Sequence, residues 1–309
     1  MRGGRRRVEA SAAVAGRRFR LAPGSLIDPL VLPLVLVLGL VIAYPAVQAV
    51  NLGFYHYRLT DLIDTRWVGA ANYSALPSDP VFWAAVKNTI VFTGTSVLLA
   101  ALVGAVLALI LDRLSERLPM VQTILLAPWA VPVVVIAFLF RYMFEQQGGI
   151  VNAALLATHL TATPVPWLSS GALAMTALIV ASVWQLIPFF LLLLLAALKA
   201  VPETIIEAAR VDGAGEWVLA RDVKIPQLAG ALVPAVLIAV IQGFNNLALP
   251  WSFTEGGPSF DTTTLVVFVF RLAFTEFNIG YAAAVGTIWL LLLVVFAVGF
   301  VRLTRPAVS

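Results

Sequence analysis

The stretch EAARVDGAGEWVLARDVKIP, residues 207–226, is a polar segment between two long apolar runs of the chain. Pro202 and Glu203 precede it and favour the start of a helix, because proline suits the first turn and an acidic side chain is stabilised near the positive end of the helix dipole. Asp212-Gly213 predicts the end of this helix, since glycine readily adopts the left-handed conformation of helix C-termini. A second short helix is expected from about residue 214, and the final proline is expected to break it before the next apolar run.

The composition of the whole chain is typical of a membrane protein. Of the 309 residues, 61% are hydrophobic and 12% are charged, whereas soluble domains have about 45–50% apolar and about 25% charged residues. There is no cysteine, and the two histidines, His56 and His159, lie in short segments between apolar runs. The sequence therefore predicts no disulfide, no metal site, no catalytic residues and no cofactor held by this chain.

Six apolar runs are long enough to cross a bilayer, which takes about 20 helical residues. They cover roughly residues 30–54, 88–111, 120–140, 173–198, 228–253 and 281–301. The run Leu265–Phe270 is too short and is expected to be interfacial or re-entrant, and Val151–Leu160 is expected to form a short helix outside the membrane. The predicted fold class is an all-α integral membrane protein with a basic N-terminal tail (1–29) and a six-helix transmembrane domain (30–305).

The distribution of basic residues predicts the orientation, because cytoplasmic loops carry an excess of lysine and arginine. With the N-terminus inside, the cytoplasmic set is Arg2, Arg5, Arg6, Arg7, Arg17, Arg18, Arg20, Arg113, Arg117, Lys199, Arg210, Arg221, Lys224, Arg302 and Arg305. The opposite set is Arg58, Arg66, Lys87, Arg141 and Arg271. Both termini and the 202–226 segment are therefore predicted to be cytoplasmic. The basic tail is expected to face anionic lipid rather than nucleic acid, and the first run is too long for a cleaved signal peptide.

The 202–226 segment has the chemistry of a helix that docks into a groove of another protein. Small side chains allow a partner backbone to approach, and carboxylates can fix the register against basic groups of the partner. The residues concerned are Glu207, Ala208, Ala209, Asp212, Gly213 and Ala214. The residue pattern alone also permits a simpler interpretation, a loop helix that only caps the bundle.

The same segment resembles the EAA loop of the permease subunits of bacterial ABC importers. That family's pattern is E-A-A, three residues, G, nine residues, then aliphatic, any residue, aliphatic and P. The matching residues are Glu207, Ala208, Ala209, Gly213, Val223, Ile225 and Pro226. Four shorter stretches resemble sugar-type permeases of the maltose and glycerol-3-phosphate transporter class: N-T at 88–89, G-x-x-N at 149–152, T-x-G-G-P at 254–258 and G-Y-A at 280–282.

The resemblance implies a type I ABC importer permease fold in the bacterial cell membrane, and a set of partners. These are a second homologous permease subunit, a dimer of ATP-binding subunits that would contact the 202–226 segment, and an extracytoplasmic solute-binding protein. ATP would be bound by the partner. The sequence agrees, because none of the three lysines follows a glycine, which excludes the phosphate-binding G-x-x-x-x-G-K-[ST] loop.

Uncharged polar and aromatic side chains in the later spans are candidates for the substrate path. They are Trp184, Gln185, Gln242, Asn245, Asn246 and Tyr281. Amides exposed to lipid would be costly, so these side chains are expected to face the interior, either as substrate contacts or in hydrogen bonds between helices. Because the spans lack basic residues, a neutral sugar or oligosaccharide is favoured over glycerol phosphate, a polyol or another small solute.

Three other functions make different demands on the sequence. A secondary transporter would normally place ionisable residues inside the bundle, and the central parts of the six runs contain none. A membrane enzyme would need a nucleophile, a base or a metal set within reach. An ABC permease for amino acids, peptides or ions remains an alternative, although the T-x-G-G-P and G-x-x-N stretches favour sugars.

Overall fold

The computed structural model describes residues 32–114 and 119–304. The basic tail, Arg117 and Arg305 lie outside the described residues. The chain divides into two units, residues 1–48 and 49–309. Helix α1 (32–52) consists of Leu32–Leu38, a π-helical turn Gly39–Ala43, and Tyr44–Leu52.

Beyond α1 the described chain is mostly helical. The helices are α2 (Ala71–Ala75), α3 (Pro80–Leu114), α4 (Pro119–Ala130), α5 (Val133–Met143), α6 (Ile150–Ala157), α7 (Gly171–Lys199), α8 (Glu203–Val211), α9 (Glu216–Phe244), α10 (Ala248–Thr254), α11 (Leu265–Phe274) and α12 (Ile279–Thr304). Helices α1, α3, α7, α9 and α12 are long and apolar enough to cross a membrane, and α4 with α5 could form a sixth, broken span.

Helices α3 and α7 form the centre of the second unit. On α3 the small residues Ala100, Gly104 and Ala108 recur every four residues, and both alanines are fully buried. A Cβ atom at position 104 would lie 2.6 Å from Cβ of Phe190 on α7. Small side chains therefore allow these two helices to approach closely, as is usual inside membranes. Apolar residues of α9 complete this core, while α5 and α10 pack on another part of α7.

The third predicted span is not one continuous helix. Helices α4 and α5 meet at an angle of 97°, and the break lies at 131–132. Pro132 has an extended backbone (φ −57°, ψ 135°) and precedes the first residue of α5. A proline here cannot donate the hydrogen bond that would continue α4, whereas Pro128 is accommodated within α4.

The fifth predicted span has different boundaries in the structure. Helix α9 begins at Glu216, passes through a π-helical turn at Leu219–Lys224 and continues to Phe244. The prediction that Pro226 ends a separate helix is therefore wrong. Pro226 lies in the first turn after the π-helical turn, a position in which the missing N–H of a proline is tolerated. The helix instead stops at 244, and residues 248–254 form the separate helix α10.

A β-hairpin between α1 and α2 was not predicted. Strands β1 (Tyr55–Arg58) and β2 (Asp61–Trp67) pair antiparallel, and the connection between them lacks the glycine or asparagine that usually signals a hairpin. Helix α3 also begins earlier than predicted, so Lys87 lies within the helix and not in a loop. We call the end of the bundle with this hairpin the hairpin end, and the end with residues 202–226 the loop end.

Two of the quoted short stretches meet at the hairpin end. Asn88 Nδ2 donates to the carbonyl oxygens of Phe260 (2.9 Å) and Thr263 (3.1 Å), and Thr89 Oγ1 accepts from the backbone N–H of Leu265 (2.8 Å). The start of α3 is thereby joined to the loop that contains the T-x-G-G-P stretch. These side chains fix the backbone between α10 and α11.

The asparagine of the G-x-x-N stretch has a similar structural role. Asn152 is buried, and its amide nitrogen donates to the carbonyl oxygens of Val165 (2.9 Å) and Gln146 (3.2 Å). Its Oδ1 atom accepts from the backbone of Val165 (3.0 Å) and from the indole of Trp167 (3.2 Å). One side chain therefore satisfies backbone groups on both sides of α6, which holds the 144–170 connection in place.

Candidate translocation cavity and docking loop

Helix α8 begins and ends where the residue types require. Pro202 is its N-cap residue and Glu203 lies in its first turn. The helix ends at Val211, and Gly213 has a φ of +87°, a conformation that side-chain-bearing residues rarely adopt. The predicted helix start and glycine stop are both confirmed. Because α8 ends at Val211 and α9 begins at Glu216, α8 and the start of α9 form two short arms at the loop end.

The six predicted docking residues lie on or next to α8. Glu207, Ala208, Asp212 and Gly213 are exposed, and Ala209 and Ala214 are partly buried. Neither Glu207 nor Asp212 forms an ion pair with any residue in 32–114 or 119–304. Large apolar side chains are exposed beside them: Val211 is 87% exposed, Trp217 73% and Ile205 44%. The loop end therefore presents free carboxylates among small and apolar side chains, a combination typical of an interaction surface.

Ion pairs connect α8, α9 and α3 at the loop end. The carboxylate of Glu216 lies 3.4 Å from both Arg113 Nε and Arg210 Nη2, and all three side chains are largely exposed. Deeper in the structure, Lys224 Nζ lies 2.6 Å from Asp112 Oδ2, with only 11% and 12% of the two side chains exposed. Lys224 is therefore a buried residue of α9, whereas the sequence suggested an ordinary loop lysine.

A cavity of about 240 Å³ with both polar and apolar lining residues lies between the helices. Its wall consists of Phe92, Thr93, Ser96 and Val97 of α3, Trp129 of α4, Val133 of α5, Ser182, Gln185, Leu186 and Phe189 of α7, Ala239, Gln242 and Gly243 of α9, and Asn246. Every one of these described lining residues is uncharged. The cavity thus offers amide hydrogen-bonding groups beside aromatic rings.

The structure brings three of the six candidate path residues together and separates the other three. Gln185, Gln242 and Asn246 line the cavity. Trp184 is not among the residues of the cavity wall and packs against Phe140, with ring centroids 5.5 Å apart.

The other two candidates lie outside the cavity wall as well. Asn245 is exposed and donates to the carbonyl oxygen of Ile241 at 2.7 Å. Tyr281 lies at the hairpin end, where its hydroxyl donates to Asp79 at 2.6 Å. The Tyr281 hydroxyl links α12 to the residue before α3 and so fits the alternative of hydrogen bonds between helices, whereas the Asn245 amide bonds within the end of its own helix and fits neither expectation.

Sequence reasoning missed the contribution of α3 and α4 to the cavity. Thr93 and Ser96 are almost fully buried, and neither hydroxyl has a hydrogen-bond partner within the described ranges. A buried hydroxyl without a partner costs about 1–3 kcal/mol, and both residues line the cavity, where water or a solute can supply the missing hydrogen bond. The signal was present in the sequence as two hydroxyl residues three positions apart in an apolar helix. Hydroxyl side chains in a helix commonly bond to the backbone of the same helix, so their presence alone does not predict a cavity.

Comparison with known proteins identifies the family. Residues 100–309 match the family described as the binding-protein-dependent transport system inner membrane component. The chain belongs to this family. It is therefore a membrane-embedded transport component and not an enzyme, as the sequence predicted, and the transport systems of this family depend on a binding protein.

Two curated relatives are permease proteins named for different transported compounds. The sulfoquinovosyl glycerol transport system permease SmoG of Agrobacterium fabrum is 30% identical, and the alignment covers 89% of each chain. The diacetylchitobiose uptake system permease DasB of Streptomyces coelicolor is 31% identical, over 94% of this chain and 89% of the relative.

A solved structure shows the same fold. A chain of a bacterial alginate ABC transporter, solved in complex with its periplasmic protein, superposes with a TM-score of 0.77 at 20% identity, covering 91% of this chain and 94% of that one. The predicted all-α permease fold is thereby confirmed. The small hairpin is the one departure from all-α structure within the described residues.

Proposed function

We propose that this permease forms one half of the pore of an importer for a neutral sugar or oligosaccharide, and that residues 202–226 couple it to a separate dimer of ATP-binding subunits. The other half of the pore is a second homologous permease. An extracytoplasmic solute-binding protein delivers the solute at the hairpin end. Both termini and residues 202–226 face the cytoplasm, and no cofactor is held by this chain.

The incomplete wall of the cavity supports the half-pore arrangement. Trp129 is 61% exposed and Gln242 is also exposed, although both line the cavity. The volume of about 240 Å³ is below the roughly 300–1,000 Å³ of typical small-molecule sites. A second subunit that covers the exposed side would enlarge the cavity and separate it from lipid.

The chemistry of the cavity supports a carbohydrate. Amides at Gln185, Gln242 and Asn246 can donate to and accept from sugar hydroxyls, while Trp129 and Phe189 offer ring faces. Both curated relatives described above are named for glycosides. An anion such as glycerol phosphate would gain from a basic residue, and every described lining residue is uncharged.

The observation that carries the coupling role is the exposed surface of α8. Its carboxylates are unpaired within the described ranges. Val211 of α8 and Trp217 at the start of α9 remain in water unless a partner covers them. Burying an exposed large apolar side chain contributes about 1.5–3 kcal/mol. A groove that receives α8 would therefore gain both apolar burial and charge pairing.

The orientation rests on basic residues in the described part of the loop end. Arg113, Lys199, Arg210 and Arg302 all lie in the last turns of helices that end there. An excess of such residues marks the cytoplasmic side. Since the chain has no cysteine, a Val211→Cys variant expressed without the ATP-binding subunit would carry a single uncovered thiol, which should react with an impermeant thiol reagent only in inverted membrane vesicles.

A co-purification experiment tests the docking role. Ala208→Asp places a charge on the exposed face of α8, so the variant should insert normally yet lose the ATP-binding subunit. Ser74→Asp makes the same change of charge on the exposed face of α2 at the hairpin end and should retain it. Equal recovery of the ATP-binding subunit with both variants would refute the docking role of residues 202–226.

A further inference from the structure

The two helices that contribute Ser96 and Gln242 to the cavity wall are joined by a buried ion pair at the loop end. Asp112 lies in the last turn of α3, and Lys224 is the last residue of the π-helical turn in α9. Their charged atoms are 2.6 Å apart, and the two side chains are 11% and 12% exposed. The two cavity helices are thus tied together at the point where α9 leaves the 202–226 segment.

The ion pair is too far from the cavity to touch a solute there. Asp112 is 16 residues beyond Ser96 on α3, which corresponds to about 24 Å along the helix axis. Lys224 precedes Gln242 by 18 residues, or about 27 Å by the same measure. Any effect of the ion pair on transport must therefore act through the positions of the two helices.

The burial of this ion pair separates it from the other charges at the loop end. Exposed pairs such as Arg210–Glu216, at 3.4 Å, are screened by water and exchange partners at little cost. Separating a buried pair leaves two uncompensated charges in a poorly solvated environment, which is strongly unfavourable. The Asp112–Lys224 pair is therefore expected to stay closed while the surrounding helices move.

We propose that Asp112 and Lys224 are positioning residues that make α3 and α9 move as one body when the 202–226 segment is displaced. Chain connectivity alone carries such a displacement into α7, which ends at Lys199, and into α9, but not into α3. The ion pair carries it into α3 as well, so two walls of the cavity shift together. The inference rests on the proposed function, because it needs a partner that displaces the 202–226 segment.

A pair of apolar side chains at these two positions would not make α3 and α9 move together. Replacing a buried ion pair by apolar residues of similar volume is often neutral for stability, so we expect the variant to fold without the charges. Apolar contacts are non-directional and allow one helix to slide along the other. A short charge-assisted hydrogen bond fixes the register of the two helices.

The first experiment replaces the pair in the assembled transporter. Asp112→Leu with Lys224→Met should give a complex that assembles and responds to loaded binding protein with an unchanged KM. Solute transported per ATP hydrolysed should fall at least about fivefold, the lower end of typical coupling effects. Arg302→Met, which removes an exposed charge at the end of α12, should leave this ratio unchanged. An unchanged ratio in the double variant would overturn the inference.

The second experiment restores the link covalently. Because the chain has no cysteine, Asp112→Cys with Lys224→Cys creates the one thiol pair, which a short reducible crosslinker can join. Transport per ATP should be low before crosslinking, recover after it and fall again on reduction. If crosslinking stops transport instead, the pair has to open during the cycle and the inference is wrong.

The two proposals fail in different ways. If the ATP-binding subunit does not bind the unmodified chain, the proposed function fails and this inference fails with it. If the complex assembles, hydrolyses ATP and imports solute, and the apolar pair is as well coupled as the natural one, only the inference fails.

Discussion

Gly104 of α3 lies directly against Phe190 of α7, so that a Cβ atom at position 104 would be 2.6 Å from Phe190 Cβ and 3.1 Å from the backbone nitrogen of Leu191. The neighbouring backbone cannot move aside without shifting α7. Because α3 and α7 form the centre of the bundle, this contact sets the distance between two walls of the cavity.

Gly104→Val should therefore destabilise the protein by about 1–3 kcal/mol or more, the usual cost of overpacking. Gly94→Val is the matched control, since it lies on the same helix and a Cβ there meets nothing within 4 Å. Thermal unfolding in detergent should show a lower midpoint for the first variant only. Equal midpoints would mean that the two helices separate more easily than their packing indicates.

Much of this fold could be predicted, because the length of each apolar segment is a strong signal of a membrane-spanning helix. The small-residue stripe around Gly104 and the helix stop at Gly213 depend on local chemistry and were also predictable. The bend at Pro132 and the continuation of α9 through Pro226 were not. Whether a proline breaks a helix depends on the winding and packing around it, and a π-helical turn leaves no clear mark in the sequence.

The candidate cavity was predictable in part for a related reason. The sequence shows which polar residues lie in apolar runs. Whether their side chains point into the cavity depends on where each helix ends. Gln242 and Asn245 are three residues apart, and the helix ends between them at 244. Only the first lines the cavity, because the chain turns before Asn245 could continue the same face.

These two amides therefore provide a test of the substrate path. Gln242→Leu should lower transport by removing an amide from the cavity wall, with a rise in apparent KM for solute transport and normal assembly, since the loss of one polar contact typically costs about 0.5–1.5 kcal/mol. Asn245→Leu should leave transport nearly unchanged, because among the described residues the Asn245 amide bonds only to the carbonyl oxygen of Ile241, in the last turn of α9. The measurement is solute uptake in vesicles at several concentrations of loaded binding protein. An equal loss of uptake in both variants would show that lining the cavity does not determine which amide affects transport.

Asn152 should be among the most sensitive polar positions at the hairpin end. Asn152→Leu removes the partners of Val165 and Trp167, which are partly buried, and each group left unsatisfied costs up to about 1–3 kcal/mol, the range for a buried group. We expect the 144–170 connection to become susceptible to limited proteolysis and the yield of folded protein to fall. Gln146→Leu is the control in the same connection, because its side chain is exposed. A protease-resistant Asn152→Leu variant would show that the hydrogen bonds are dispensable.

Gly213 and Gly215 allow the geometry of the 202–226 segment to be tested apart from its contacts. A Cβ at either position meets nothing within 4 Å, but φ is +87° at Gly213 and −72° at Gly215. An alanine at 213 is therefore strained by about 1–2 kcal/mol, the cost of the left-handed conformation for residues with a Cβ, and the two arms α8 and α9 should change their relative angle. Gly213→Ala is expected to weaken retention of the ATP-binding subunit and reduce transport, whereas Gly215→Ala should have a smaller effect on both. The measurement is co-purification of the ATP-binding subunit at increasing salt concentration. If the two alanine variants retain the subunit equally, the angle between α8 and α9 has no role in coupling.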